Sequence, residues 1–137
     1  MAHTDEELAN LETVQRYFSA INEGGMGAAM EAWMTPDIVQ EEYPNLLLPT
    51  GARRDLAALR EAAARGKALM AAQHFEIVAT YARERTVIVE SIWTGTVGVD
   101  AGPFKAGTEL RARFAQFFEL RAGRICAIRN YDCFDPW

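Results

Sequence analysis

The sequence is short of the residues from which metal sites and disulfide frameworks are built. Two cysteines and two histidines occur in 137 residues, and no Cys-x-x-Cys pair is present, so neither a zinc site nor a disulfide scaffold has enough ligands. Cys126 and Cys133 stand seven apart in one expected strand, and that odd spacing puts them on opposite faces. Free thiols fit a reducing compartment. A basic excess is also missing: 14 Lys and Arg against 19 Asp and Glu give a formal charge of −5. With both signs mixed along the chain, no basic face is available to neutralise nucleic-acid phosphates or anionic lipid. No apolar run approaches the roughly 20 residues of a membrane span, and Met1 to Asn10 is polar and acidic with no signal-peptide core. The expectation is a cytoplasmic protein that uses no metal, nucleic acid or membrane.

What the chain does have is apolar residues, 50% of the total with 24% charged, enough for one sizeable core. The length fits a single domain over 1–137. Thr4-Asp5-Glu6-Glu7 is a capping box that starts a helix, and Leu8, Leu11, Val14, Tyr17, Phe18 and Ile21 give it one apolar stripe up to Gly24-Gly25. Met26, Ala29, Met30 and Trp33 read as a second short helix that stops at Thr35-Pro36. Asp37 to Tyr43 reads as a strand, Pro44, Pro49 and Gly51 as a loop, and about Asp55 to Ala72 as a third helix. After His74 the period changes to two. Phe75–Tyr81, Thr86–Val97, Leu110–Leu120 and Ile125–Phe134 are the expected strands, with a Gly-Pro-Gly loop from Gly98 to Gly107. The class is therefore α+β, three N-terminal helices covering one face of an antiparallel sheet.

Strand alternation sorts the polar residues by face. One face carries Gln40, Glu42, Ser91, Gln116, Asn130 and Asp132 among the aromatics Trp93, Phe114 and Phe118. A few polar groups converging in an apolar concavity is how small-molecule sites are built. A one-residue slip of the first strand would bring Glu41 inside in place of Glu42. The opposite face carries Arg, Tyr and Phe and is either solvated or a subunit interface.

The helix Val14-Gln15-Arg16-Tyr17-Phe18-Ser19-Ala20-Ile21-Asn22, the second helix with Trp33, the Asp37-Ile38-Val39 strand and the closing Gly123-Arg124-Ile125 with Arg129-Asn130-Tyr131 resemble the SnoaL-like branch of the nuclear transport factor 2-like superfamily. The resemblance spans nearly the whole chain. It implies a cone-shaped fold with a curved sheet, and a pocket that polyketide cyclases, ketosteroid isomerase and limonene-epoxide hydrolase use for hydrophobic substrates. The Asp-Arg-Asp set of limonene-epoxide hydrolase falls on Ser91, Trp93 and Asn130, which implies that epoxide chemistry is absent. Similarity to ketosteroid isomerase places Tyr17 at its oxyanion-binding tyrosine, Glu42 at its carboxylate base and Gln116 where it has a protonated aspartic acid. The cyclase branch uses a pocket aspartate as general acid and base, a role that falls to Asp132.

The expected function is thus cofactor-free proton transfer beside a carbonyl of a hydrophobic compound, as in isomerisation, aldol cyclisation or dehydration. Glu42 or Asp132 would move the proton and Tyr17 hold the oxyanion, with Trp33, Gln40, Ser91, Trp93, Phe114, Gln116, Phe118 and Asn130 lining the substrate. The alternative is a binding or accessory domain that holds a hydrophobic ligand without turning it over. Either is compatible with a homodimer formed through the exposed sheet face.

Overall fold

A computed structural model describes residues 2–24 and 31–137. Helix α1 (Asp5–Asn22) begins at the expected capping box: Thr4 Oγ1 accepts from the Glu7 amide at 3.1 Å, and the Thr4 amide donates to Glu7 Oε1 at 2.8 Å. Val14, Tyr17, Phe18 and Ile21 are its buried stripe. It ends where Glu23 caps it and Gly24 adopts φ +75°, a conformation that suits glycine. The expected second helix falls mainly outside the described residues, which include only its last helical positions, Glu31 and Ala32. Helix α2 (Leu56–Leu69) starts at Asp55, whose carboxylate accepts from the Ala58 amide at 2.9 Å, and it buries Leu59 and Ala63.

Six strands form one curved, unclosed sheet: β1 (Met34–Glu42), β2 (Ala52–Arg54), β3 (Met70–Arg83), β4 (Thr86–Val97), β5 (Glu109–Arg121) and β6 (Arg124–Phe134), in the order β2-β1-β6-β5-β4-β3. β3 to β6 form the expected meander, with a hairpin at Ala122-Gly123, both of which take positive φ. Residues of β4 and β5 alternate between buried and open along most of their length, the signature of a sheet covered on one face.

Four expectations need correcting. The sheet is not wholly antiparallel, because β1 runs parallel to β6. The two strands are separated by most of the chain, so no hairpin imposes opposite directions on them. β1 also starts earlier than expected, and its register shifts between Met34 and Val39, a stretch that contains Pro36, which has no amide to give the ladder. β2 pairs with β1 inside the segment expected to be loop; three residues are too few to show a period. Finally, α2 stops at Leu69 and β3 starts at Met70, pairing Met70 with Val97 and Ala72 with Thr96. The end of the long β4 needs a ladder partner, and that requirement overrides the helical preference of Ala71 and Ala72.

The buried residues fall into two groups. Under α1, Tyr17, Phe18 and Ile21 close on Val87, Val89, Phe118 and Ile128 in a dense core. Further along the sheet, Trp93, Val97, Leu110, Ala112 and Phe114 form a second group, with Phe75, Phe104 and Phe134 packed on it. The first group is closed; the second borders open space beneath α2.

Candidate functional site

That space is a cavity of about 520 Å³. Its walls are aromatic: Trp93 and Phe114 stack with centroids 6.1 Å apart and planes 7° from parallel, and Phe134 meets both edge-on. Ala62, Gly66 and Leu69 of α2 form the roof, while Leu47 and Leu48 close one side. Phe104, on the loop between β4 and β5, closes another and is itself packed against Trp137 at 4.9 Å. Trp137 thus backs a residue of the cavity wall.

The polar groups gather at one end. Glu42, Arg54, Asn130 and Asp132 all border the cavity, brought together because β1, β2 and β6 are adjacent and Glu42 pairs in register with Ala52 and Asn130. Arg54 Nη1 donates to Glu42 Oε1 at 3.0 Å and to Gln40 Oε1 at 3.1 Å, and only 16% of the Arg54 and 12% of the Glu42 side chain is exposed. Asn45 Nδ2 donates to Glu42 Oε2 at 2.9 Å, so both Glu42 oxygens are engaged. Asp132 differs. Its Oδ1 is buried with no hydrogen-bond partner among the described residues. Burial, then the Glu42 charge, push its pKa up to about 7, with Arg54 opposing. A carboxyl poised there can give and take a proton near neutral pH.

A family model for the SnoaL-like domain matches residues 14–128. The chain belongs to the SnoaL-like domain family. This SnoaL-like domain superposes on a proposed polyketide cyclase from Xanthomonas campestris pv. campestris with TM-score 0.78 and 22% identity, covering 93% of this chain and 92% of that one. A nuclear transport factor 2-like protein from Burkholderia thailandensis E264 matches with TM-score 0.71 and 21% identity, over 90% and 89% of the two chains. A Catenulispora acidiphila protein of ketosteroid isomerase-like fold, solved in complex with trimethylamine, matches with TM-score 0.67 and 18% identity, over 88% and 84%. At such identities the likeness shows the fold. No curated protein matches the sequence.

The SnoaL-like domain brings only part of the sequence-derived set to the cavity. Glu42, Asp132, Asn130, Trp93 and Phe114 border it. Gln40 and Gln116 are buried behind this layer, Gln40 on Arg54 and Gln116 donating through Nε2 to Asn130 Oδ1 at 3.2 Å. Ser91 is fully buried with its hydroxyl unpartnered among the described residues. Tyr17 and Phe118 lie in the closed core, their ring centroids 5.7 Å apart and edge-on. Burial raises the Tyr17 pKa to about 12. Trp33 sits at the far end of β1, its carbonyl accepting from the Ile125 amide at 2.7 Å. Sequence reasoning missed Arg54 and Asn45. The available signal for Arg54 was its place three residues after Gly51, where a tight return from β1 sets it opposite Gln40.

Proposed function

We propose that this SnoaL-like domain binds a hydrophobic carbonyl compound in the cavity and, without a cofactor, moves a proton on the carbon beside the carbonyl, with Asp132 as the acid and base. The observation that carries this reading is the buried, unpartnered Asp132 Oδ1 at the polar end of an aromatic-walled cavity. An apolar wall holds the ring compound, and desolvation keeps the carboxyl close to neutral poise. In the step itself, Asp132 as carboxylate takes the α-proton, the C–H electron pair becomes the enolate, and the proton returns at a second atom. Isomerisation, cyclisation and dehydration all share this opening.

Glu42 is the weaker candidate for this role, since both of its oxygens are already hydrogen-bonded. Asn130, whose Oδ1 accepts from Gln116, borders the cavity beside Asp132, and its Nδ2 is the candidate for holding the developing oxyanion. Tyr17 is given to the core in this reading. The test is deuterium exchange into α-positions of a panel of enones and aromatic ketones, followed by NMR. Exchange that is lost in Asp132→Asn supports the assignment. Saturable binding without exchange, unchanged in Asp132→Asn and Glu42→Gln, replaces it with the accessory-domain reading.

The same proposal includes a homodimer through the outer sheet face, supported by the contiguous aromatic set Tyr43, Phe117 and Tyr131. Their centroids are 4.7 Å (Tyr43 to Tyr131) and 5.7 Å (Phe117 to Tyr131) apart, and the Arg129 guanidinium lies over Phe117 at 5.4 Å. Tyr and Arg are enriched at such interfaces. A monomer in light scattering at micromolar concentration removes this part.

A further inference from the structure

Two carboxyl groups border one cavity, and their surroundings treat them differently. Glu42 receives Arg54 Nη1 on one oxygen and Asn45 Nδ2 on the other. Asp132, on the neighbouring strand, has an oxygen with no partner among the described residues. We propose that Arg54 is a positioning residue: by holding Glu42 in a hydrogen-bonded ion pair across the β1–β2 pair, it leaves Asp132 as the carboxyl that carries the mobile proton. This rests on the proton-transfer reading above and names the residue that decides which acid performs it.

The local fold is built to deliver this arginine. β2 is only three residues long, yet it is held at both ends. At its start, Gly51 takes φ +67°, and a Cβ there would run into the Glu42 carbonyl oxygen, so the chain can turn back on β1 only with glycine at this position. At its end, Asp55 caps α2 directly after Arg54. Asn45 ties the intervening loop to the same carboxylate: its Oδ1 accepts from the Leu47 and Leu48 amides at 3.0 and 2.9 Å while its Nδ2 donates to Glu42. Leu47 and Leu48 line the cavity, so the apolar side wall and the fixed anion are one hydrogen-bonded unit.

Elsewhere the described walls of the cavity bring no competing charge. Among the described residues the walls from α2, β3, β4, β5 and the loop carrying Phe104 bring no ionisable side chain to it, so Asp132 faces Glu42 from β1 and Arg54 from β2. A nearly buried guanidinium that touches one of two neighbouring carboxyl groups stabilises charge on that group more than on the other, because its attraction falls with distance. Without Arg54, two acids in one low-dielectric space would share a single proton between them, since like charges there resist full ionisation.

The experiment follows the side-chain carboxyl NMR shifts of the full chain against pH, with Asp132→Asn and Glu42→Gln assigning the signals. In the unsubstituted protein one carboxyl, that of Asp132, is expected to titrate near neutrality in a single step. In Arg54→Gln the Asp132 and Glu42 signals are expected to move together in two coupled steps, and Arg54→Lys is expected to restore the single step. Unchanged single-step titration of Asp132 in a folded Arg54→Gln overturns the proposal. Should that variant not fold, Arg54→Met decides: frequency shifts of Glu42 and Asp132 moving together support it, and an unchanged single-step titration of Asp132 overturns it. If Asp132 in the unsubstituted protein titrates in the ordinary carboxylate range, the proton-transfer reading fails instead, while the response of the Glu42 signal to Arg54→Gln still judges the role of Arg54.

Discussion

Phe114 and Phe118 share the inner face of β5, four residues apart, yet they serve different compartments. Phe118 is completely buried against Tyr17 and Phe18, each at 5.7 Å between centroids, whereas Phe114 stacks on Trp93 in the cavity wall. The boundary between closed core and open cavity therefore crosses this strand between the two rings.

Replacing each ring by alanine separates the compartments. Phe118→Ala empties the dense group under α1 and is expected to destabilise by about 3–5 kcal/mol, read as a lower urea midpoint. Phe114→Ala borders space that already exists, so a smaller loss is expected, accompanied by altered binding of apolar probes. Equal losses from the two variants would contradict the division.

Asp132 makes stability fall as pH rises. Its pKa is raised from 3.8 to about 7 on folding, so between these values the folded protein keeps a proton that the unfolded chain has released. Stability from this group is complete at acid pH, declines from about pH 4 to about pH 7 with a slope of at most about 1.4 kcal/mol per pH unit, and is then level. Asp132→Asn is expected to remove that slope and to be the more stable protein above neutrality. Denaturant melts across this range check it.

Tyr17 acts in the alkaline range. Its pKa rises from 10.0 to about 12 through burial, so above pH 10 the unfolded chain ionises first and stability is lost as pH climbs. Tyrosinate absorbance should show a late-titrating component that is lost in Tyr17→Phe, beside that of Tyr43, whose pKa burial and Tyr131 also raise. Because Tyr17 lies outside the cavity wall, Tyr17→Phe is expected to leave α-proton exchange unchanged; a large fall in exchange would return the oxyanion role to it.

Glu42 and Arg54 are coupled. Removing one partner leaves a nearly buried charge alone, so Arg54→Met or Glu42→Gln singly is expected to destabilise by up to about 3–5 kcal/mol. The double variant removes both charges and is expected to recover most of the loss. Additive losses in a denaturation cycle would show that the pair contributes nothing as a pair.

Gly51→Ala tests how β2 is held. With φ +67° and the Glu42 carbonyl in the way of a Cβ, the variant is expected to lose more than about 1 kcal/mol and to weaken amide protection at Ala52 to Arg54. Full stability would mean that the turn is not required to place Arg54.

Local signals determined much of this protein. The capping box at Thr4, the apolar stripe through Val14, Tyr17, Phe18 and Ile21, and the alternation along Thr86–Val97 each depend on near neighbours in sequence, and each element formed as its pattern requires. Alternation also placed Glu42, Asn130 and Asp132 on one face, because period two holds wherever a strand keeps its register. Tertiary structure decided the rest. A three-residue β2 has no period to read, and it exists because β1 offers an edge and Gly51 permits the return. The parallel union of β1 with β6 joins segments separated by most of the chain, and that union sets Glu42 beside Asp132. Whether an inward aromatic fills a core or walls a cavity likewise depended on which helix crossed above it: α1 closes over Phe118 and α2 leaves room over Phe114. Residue pattern tells a side chain which way to face; only the packing of distant elements determines whether it meets another side chain or open space.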